Sequence, residues 1–275
     1  MIDNQIRVRK KRKLKNIEVS DKIIRSLMVL FVLVTLYTLL IRVEYKWEAF
    51  NAKVGLNYLQ NFFRIDQVEL SVQLDMLGRL INTLILGFLT TLTGAFFGLI
   101  FGLLGANNLT NTKISNVVKG IASFVRAVPT IIWVLIFVSG FGLTATTAIV
   151  GMTFHSFSFF VKSYSESFEE VDKGTIEALK ATGANWFQIV FGAVIPSALT
   201  KIISWIAIRS EINFTVAVVI GPAVGVPGTI GTMINNAARA GEYAKQGFGI
   251  LLVFLTAFTM ELIISKLRQR SIVSS

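Results

Sequence analysis

The chain contains no cysteine and a single histidine among its 275 residues. That excludes a disulfide framework, a thiolate nucleophile and any multi-histidine metal site. Charge is scarce too: 16% of residues are Asp, Glu, Lys or Arg against 53% hydrophobic, with mean hydropathy +0.65. Soluble domains carry about 25% charged residues, so this composition describes a membrane protein. No G-x-x-x-x-G-K-[ST] sequence occurs, and the Gly/Pro segment 221–231 lacks G-x-G-x-x-G order. A nucleotide or dinucleotide site of the chain's own is therefore not expected, nor is any cofactor. With one histidine and scattered acids, convergent catalytic groups for a membrane-bound enzyme are missing as well.

What is present is a formal charge of +11, and its placement decides between nucleic-acid binding and membrane topology. Nine of the 27 Lys and Arg fall in residues 1–25, with Arg7, Arg9, Lys10, Lys11, Arg12, Lys13 and Lys15 directly before an apolar run at 23–41. That run matches the length that crosses roughly 30 Å of hydrocarbon. It carries Leu, Val, Phe and Tyr up to Leu40, without the small-residue cleavage site of a signal peptide, and reads as an uncleaved first span. Residues 1–22 are then a basic cytoplasmic tail, and nucleic acid is not a partner.

Residues 42–79 balance five Lys/Arg against five Asp/Glu, with Leu56, Leu59, Phe62 and Phe63 near helical spacing, as in an extracytoplasmic loop with an interfacial helix. The second span is expected at 80–104. Its Gly94, Gly98, Gly102 and Gly105 share one helix face, as small residues do where another helix packs closely. Between residues 120 and 162 the only charge is Arg126, and forty apolar residues suit two crossings with a turn at Ser139-Gly140-Phe141-Gly142. Two further spans are expected at about 202–221 and 247–265, before a basic cytoplasmic tail at 266–275. Six spans place both termini inside, with 19 Lys/Arg in cytoplasmic segments and 7 outside, in the sense of the positive-inside rule. The fold class is an all-α membrane protein whose core of five transmembrane helices occupies 80–265.

The polar insertion at 166–196 is long for a plain connection. Thr175 can cap a short helix through Glu177-Ala178-Leu179-Lys180-Ala181, and Gly183 suits its left-handed end. Asn185 with Gln188 reads as a capping box for a second helix, which is expected to stop before Pro196. These features fit a helical hairpin outside the membrane, either a plain connector or a docking element, with Trp186, Phe187, Ile189, Val190 and Phe191 available for packing.

Glu177-Ala178-Leu179, Gly183 six residues after the Glu, and Ile195-Pro196 resemble the EAA loop of ABC importer permeases, E-A-A-x3-G-x9-I-x-L-P. Gly and Pro falling by chance at two fixed offsets has a probability of roughly 0.4% at average usage. The departures, Leu179, Ala193 and Ile195, are all apolar. Arg126-Ala127-Val128-Pro129-Thr130, His155-Ser156, Glu169 to Gly174 and Glu211-Ile212-Asn213 are similar to phosphonate-type permeases, over about residues 75–270. The resemblance implies a type I importer permease in the cytoplasmic membrane. It also implies as partners a cytoplasmic ABC ATPase dimer, an extracytoplasmic substrate-binding protein and a second permease subunit, identical or related. Glu177, Ala178, Gly183 and Pro196 would form the coupling element. The substrate would be a phosphorus oxyanion such as phosphonate; another oxyanion, a phosphate ester or an amino acid is the alternative, and a secondary transporter is a more distant one.

Ionisable groups within spans are functional hypotheses by default. Arg209 and Glu211, two residues apart, project to different helix faces and need separate partners. Arg209 either offers donors to an anion beside a translocation path, together with Glu211, Asn213 and His155, or pairs with a neighbouring helix. Arg126 is expected near the cytoplasmic end of the third span, and Glu261 to pair with a basic residue. The segment 221–231 reads as an outer turn or gate.

Overall fold

The computed structural model describes residues 2–45 and 51–273, with the backbone alone at 2–19 and 267–273. The basic side chains of the N-terminal tail up to Lys15 and those of Arg268 and Arg270 lie outside the described residues. Among the described residues every regular element is a helix. Two compact units are present, Met1–Leu56 and Asn57–Ser275. The first holds α1 (Ile2–Tyr37), which ends in a π turn, Thr38–Arg42. The stretch Ser20–Arg42, which contains the expected first span at 23–41, is long and apolar enough to cross a bilayer.

The helix α2 (Ala52–Phe62) begins in the first unit and ends in the second, where the expected interfacial helix of the 42–79 loop falls. The larger unit continues with α3 (Leu70–Gly105), a helix of 36 residues. At 1.5 Å per residue it is about 54 Å long, well beyond a bilayer core, and it starts ten residues before the expected edge. The glycine face acts as its spacing predicts. A Cβ at Gly94 would stand 2.6 Å from Ser156 Cβ and one at Gly102 2.8 Å from Tyr164 Cβ, while Gly98 and Gly105 lie against Phe160 and Ser165. All four partners belong to α6 (Ala145–Glu169), so two backbones approach where side chains would hold them apart.

The third expected span is broken in the structure. The chain breaks at Val128-Pro129 into α4 (Thr112–Ala127) and α5 (Thr130–Phe141), bent by 87°. Proline disfavours helical backbone in the residue before it and has no N–H to continue the ladder. The turn expected at residues 139–142 begins only at its last residue: α5 stays helical through Phe141, Gly142 has φ 68 and α6 follows from Ala145. With buried Ser156, Ser158, Ser163, Ser165 and Ser167, α6 is too polar to face lipid, but it is enclosed by α3, α4, α5 and α9.

After α6 come α7 (Lys173–Ala181) and α8 (Trp186–Ile189). The second hairpin helix does not stop before Pro196. A π turn, Val190–Val194, joins α8 to α9 (Ile195–Val224), and Trp186–Val224 is one continuous stretch of 39 residues. The Pro196 ring would clash with the carbonyl of Gly192 in a regular helix, and the wider π turn removes that conflict. Pro222 similarly releases the carbonyl of Val218, against which Gly231 packs. The segment 221–231 turns through Gly225 and Gly228, both left-handed, into α10 (Ile230–Ala240). It is held on α3 by Thr83 Oγ1, which accepts from Ile230 N–H at 3.0 Å. The helix α11 (Tyr243–Val273) closes the unit, and its residues 243–266 are long and apolar enough to span.

Candidate functional site

Two groups of the expected residues occupy distinct places. The first is the hairpin. Asp172, not Thr175, caps α7: its carboxylate accepts from Thr175 N–H at 2.8 Å and from the Thr175 hydroxyl at 3.0 Å. The cap lies three residues earlier, where an ionised carboxylate accepts from both the N–H and the hydroxyl of Thr175 in charge-assisted bonds. Those bonds from Thr175 hold the Asp172 carboxyl below the usual carboxylate range. At the other end Gly183 has φ +83, its N–H bonds the carbonyl of Lys180, and Ala184 N–H bonds that of Leu179. This is a Schellman stop, which a residue with a Cβ adopts only under strain. The capping box of Asn185 and Gln188 forms as expected.

The hairpin stands on a hydrophobic base. Ile176, Ile189, Val190 and Val194 pack with Phe160, Tyr164 and Phe168 of α6, and Trp186 Nε1 donates to the carbonyl of Leu109 at 3.1 Å. Lys119 pairs with Glu169 at 2.7 Å, and Lys201 pairs with Glu170. Glu177 and Ala178 project from this base and are exposed, as is Pro196. Of the aromatic residues expected to pack, Phe187 and Phe191 remain 66% and 65% exposed. They stand one turn apart, so the hairpin presents a rigid end with an acid, a small residue and two uncovered aromatic rings.

The second group is a buried polar seam where α3, α6 and α9 meet. Arg209 is 5% exposed, and its Nε donates to Ser156 Oγ at 3.3 Å. Its guanidinium carbon lies 5.1 Å from the centroid of the Phe159 ring. Ser156 donates to Asn213 Oδ1 at 3.1 Å, and Asn213 Nδ2 donates to Thr91 Oγ1 at 2.9 Å. A charged hydrogen bond contributes about 1.5 to 3 kcal/mol and a desolvated cation–π contact about 2. Together they match the roughly 2.5 to 3.5 kcal/mol that the insertion scale assigns to a central arginine. Arg209 is thus compensated where it stands, although among the described residues no carboxylate lies within ion-pair distance and its terminal nitrogens make no hydrogen bond.

His155 lies beside the seam, within electrostatic reach of Arg209 and of Arg126, and its Nδ1 is buried without a partner among the described residues. Glu211 projects away from Arg209, as two-residue spacing requires. It faces Glu261 of α11, so the expected pairing of Glu261 with a basic residue is corrected. Sequence reasoning missed Thr91, Ser156 and Phe159 as partners of the polar residues of α9. Small hydroxyl residues carry no distinctive spacing that would mark them as such partners.

The family model described as "Binding-protein-dependent transport system inner membrane component" matches residues 94–271. The phosphate-import permease protein PhnE of Mycolicibacterium smegmatis is 28% identical over 191 residues, 69% of this chain and 35% of that protein. The phosphite transport system permease protein PtxC of Stutzerimonas stutzeri is 30% identical over 182 residues, covering 66% of this chain and 65% of its own. The chain thus spans less than two thirds of either relative. Among solved structures, the inward-facing MetNI methionine ABC transporter aligns with TM-score 0.66 at 21% identity, over 74% of this chain and 99% of that one. This last likeness establishes the fold, that of an ABC importer permease.

Proposed function

Because the chain belongs to the family of binding-protein-dependent transport system inner membrane components, we propose that it is the permease subunit of an ATP-driven importer for a small phosphorus oxyanion. The observation that carries the transport reading is the family match across most of the larger unit. The oxyanion rests on the phosphate and phosphite permeases among the relatives. In this reading the basic-rich ends of the spans and both termini are cytoplasmic. The hairpin at 166–196 docks on a separate ATPase, a binding protein delivers substrate from outside, and a second permease subunit completes the path. Six crossings follow if α4 and α5 together make one and α6 another.

Coupling then has a physical route. A rigid hairpin seated on α3, α6 and α9 passes any displacement by the ATPase into those helices as a rigid-body motion. The same three helices meet at Arg209, Ser156 and Asn213, so a shift of α9 against α6 would open the seam and uncover a guanidinium whose terminal nitrogens are free for an anion.

Reconstitution into vesicles with a cognate ATPase and binding protein tests the substrate. Stimulation of ATP hydrolysis and uptake by a phosphonate or phosphite is expected, and stimulation by methionine alone would overturn the oxyanion assignment. Within that system Arg209→Gln is expected to lower oxyanion uptake roughly ten- to hundredfold, the equivalent of one charge-assisted hydrogen bond of about 1.5 to 3 kcal/mol. Assembly and basal ATP hydrolysis should change little. Loss of assembly instead would make Arg209 a purely structural member of the seam.

A further inference from the structure

A polar cleft between two helices takes no part in the transport reading. Between α4 and α6 lies a cleft of about 200 Å³, floored by Ala122 and Val161, which are almost completely buried. Lys119, Ser123 and Arg126 line it from α4 at i, i+4 and i+7, so they form one stripe. Ser158, Lys162, Glu166 and Glu169 line it from α6, at i, i+4, i+8 and i+11. Two stripes of the same helical period thus face each other across the cleft.

The charges do not cancel. Lys119 and Glu169 are joined at 2.7 Å, and Lys162 stands 3.7 Å from Glu166. These two pairs account for every carboxylate lining the cleft. Arg126 is left over, with no hydrogen bond or ion pair among the described residues. The cleft therefore holds a surplus of one positive charge, carried by a guanidinium fork. The Lys162 ammonium, too far from Glu166 for a hydrogen bond, is a further donor available to a ligand.

We propose that this cleft binds a phosphoryl or phosphonyl anion, held in a fork by Arg126 with Lys162 as the third donor. A planar carboxylate uses a fork alone, whereas a tetrahedral group has further oxygens that an ammonium on the facing helix can reach. A single surplus charge matches the single charge of a phosphodiester. Beyond the cleft the outer face of α4 is apolar, with Val117, Ile121 and Phe124 exposed at 61%, 54% and 68%. A charged cleft with a hydrocarbon rim suits the headgroup of an anionic lipid lying along α4. A transported phosphonate offers the same chemistry. The phosphonate source rests on the transport reading; the lipid source does not.

The test uses the full chain. After extraction in mild detergent, native mass spectrometry counts retained phosphatidylglycerol against phosphatidylcholine. In parallel, the chain in phosphatidylcholine nanodiscs is titrated with radiolabelled methylphosphonate. One anion per chain is expected in at least one arm, and Arg126→Gln is expected to weaken it tenfold or more. Lys113→Gln, an exposed position near the start of the same helix, should leave it unchanged. Phosphatidylglycerol retention lost in the variant identifies the lipid source, and loss of methylphosphonate binding identifies the substrate source. If Arg126→Gln does not insert, Lys162→Gln gives the same comparison. Absence of both ligands from the unmodified chain, or retention indifferent to either substitution, overturns the proposal. Phosphatidylglycerol bound through Arg126 in a chain that imports no oxyanion would uphold the site and refute the transport reading alone.

Discussion

Gly98→Leu is expected to prevent the chain from folding. Gly98 lies in the close contact between α3 and α6, where even a Cβ would collide with Phe160 Cβ, and Phe160 is completely buried. Overpacking a rigid core costs typically 1 to 3 kcal/mol and more where backbones are in contact, a large part of an ordinary stability of about 5 to 15. Helix propensity acts in the opposite direction, since Ala is favoured over Gly by about 1 kcal/mol. The comparison of Gly98→Ala with Gly120→Ala separates the two effects. Nothing lies within 4 Å of a Cβ at Gly120, so that variant should be neutral or more stable, while Gly98→Ala loses. Thermal unfolding in detergent, with the monodisperse fraction after gel filtration, measures both. Equal stability of the two alanine variants would show that the α3–α6 approach is looser than described.

Gly183→Val and Ala178→Arg are expected to abolish coupled uptake while leaving the membrane helices in place. The two substitutions act differently. At φ +83 a β-branched residue is strongly disfavoured, so Gly183→Val displaces the Schellman turn and with it the direction of α8. Ala178 is exposed, and a long cation there leaves the hairpin fold intact but obstructs whatever surface is seated on it. If the hairpin couples to an ATPase, both variants should insert normally, and uptake should fall by more than tenfold. Substrate-stimulated ATP hydrolysis should be lost, and co-purification of the ATPase weakened most by Ala178→Arg. Normal uptake in either variant, with normal association, would remove the hairpin from the coupling route.

How much of this was legible beforehand depends on the range of each interaction. The membrane class, the first span, the turn at Gly142, the capping box at Asn185 and the left-handed Gly183 follow from composition and from neighbours within a few residues, because the groups that satisfy each other there are close in sequence. The glycine face of α3 was also legible, since a period of four on a helix states that something must come close, although not what. The break at Pro129 is likewise local, set by the backbone restriction on the residue before a proline. The passage through Pro196 is local in cause but not in outcome, because a helix can stop at proline or widen into a π turn, and it is packing of Val190 and Val194 onto α6 that decides.

The polar residues of the spans mark the boundary most clearly. Sequence alone determined that Arg209 and Asn213 share a span, that Arg209 and Glu211 cannot bridge, and that each needs a partner, because helical spacing and the cost of burying charge are properties of one chain segment. Only the tertiary structure decided that the partners are Ser156, Thr91 and Phe159, that Glu211 meets Glu261, and that Arg126 is left over in a cleft with α6. Those partners stand 50 to 122 residues away in the chain, and nothing in the local pattern of a serine or a threonine distinguishes the one that an arginine will meet. The choice is made by the glycine seam, which sets how closely α3 and α6 approach and so which hydroxyls come within hydrogen-bond distance of α9.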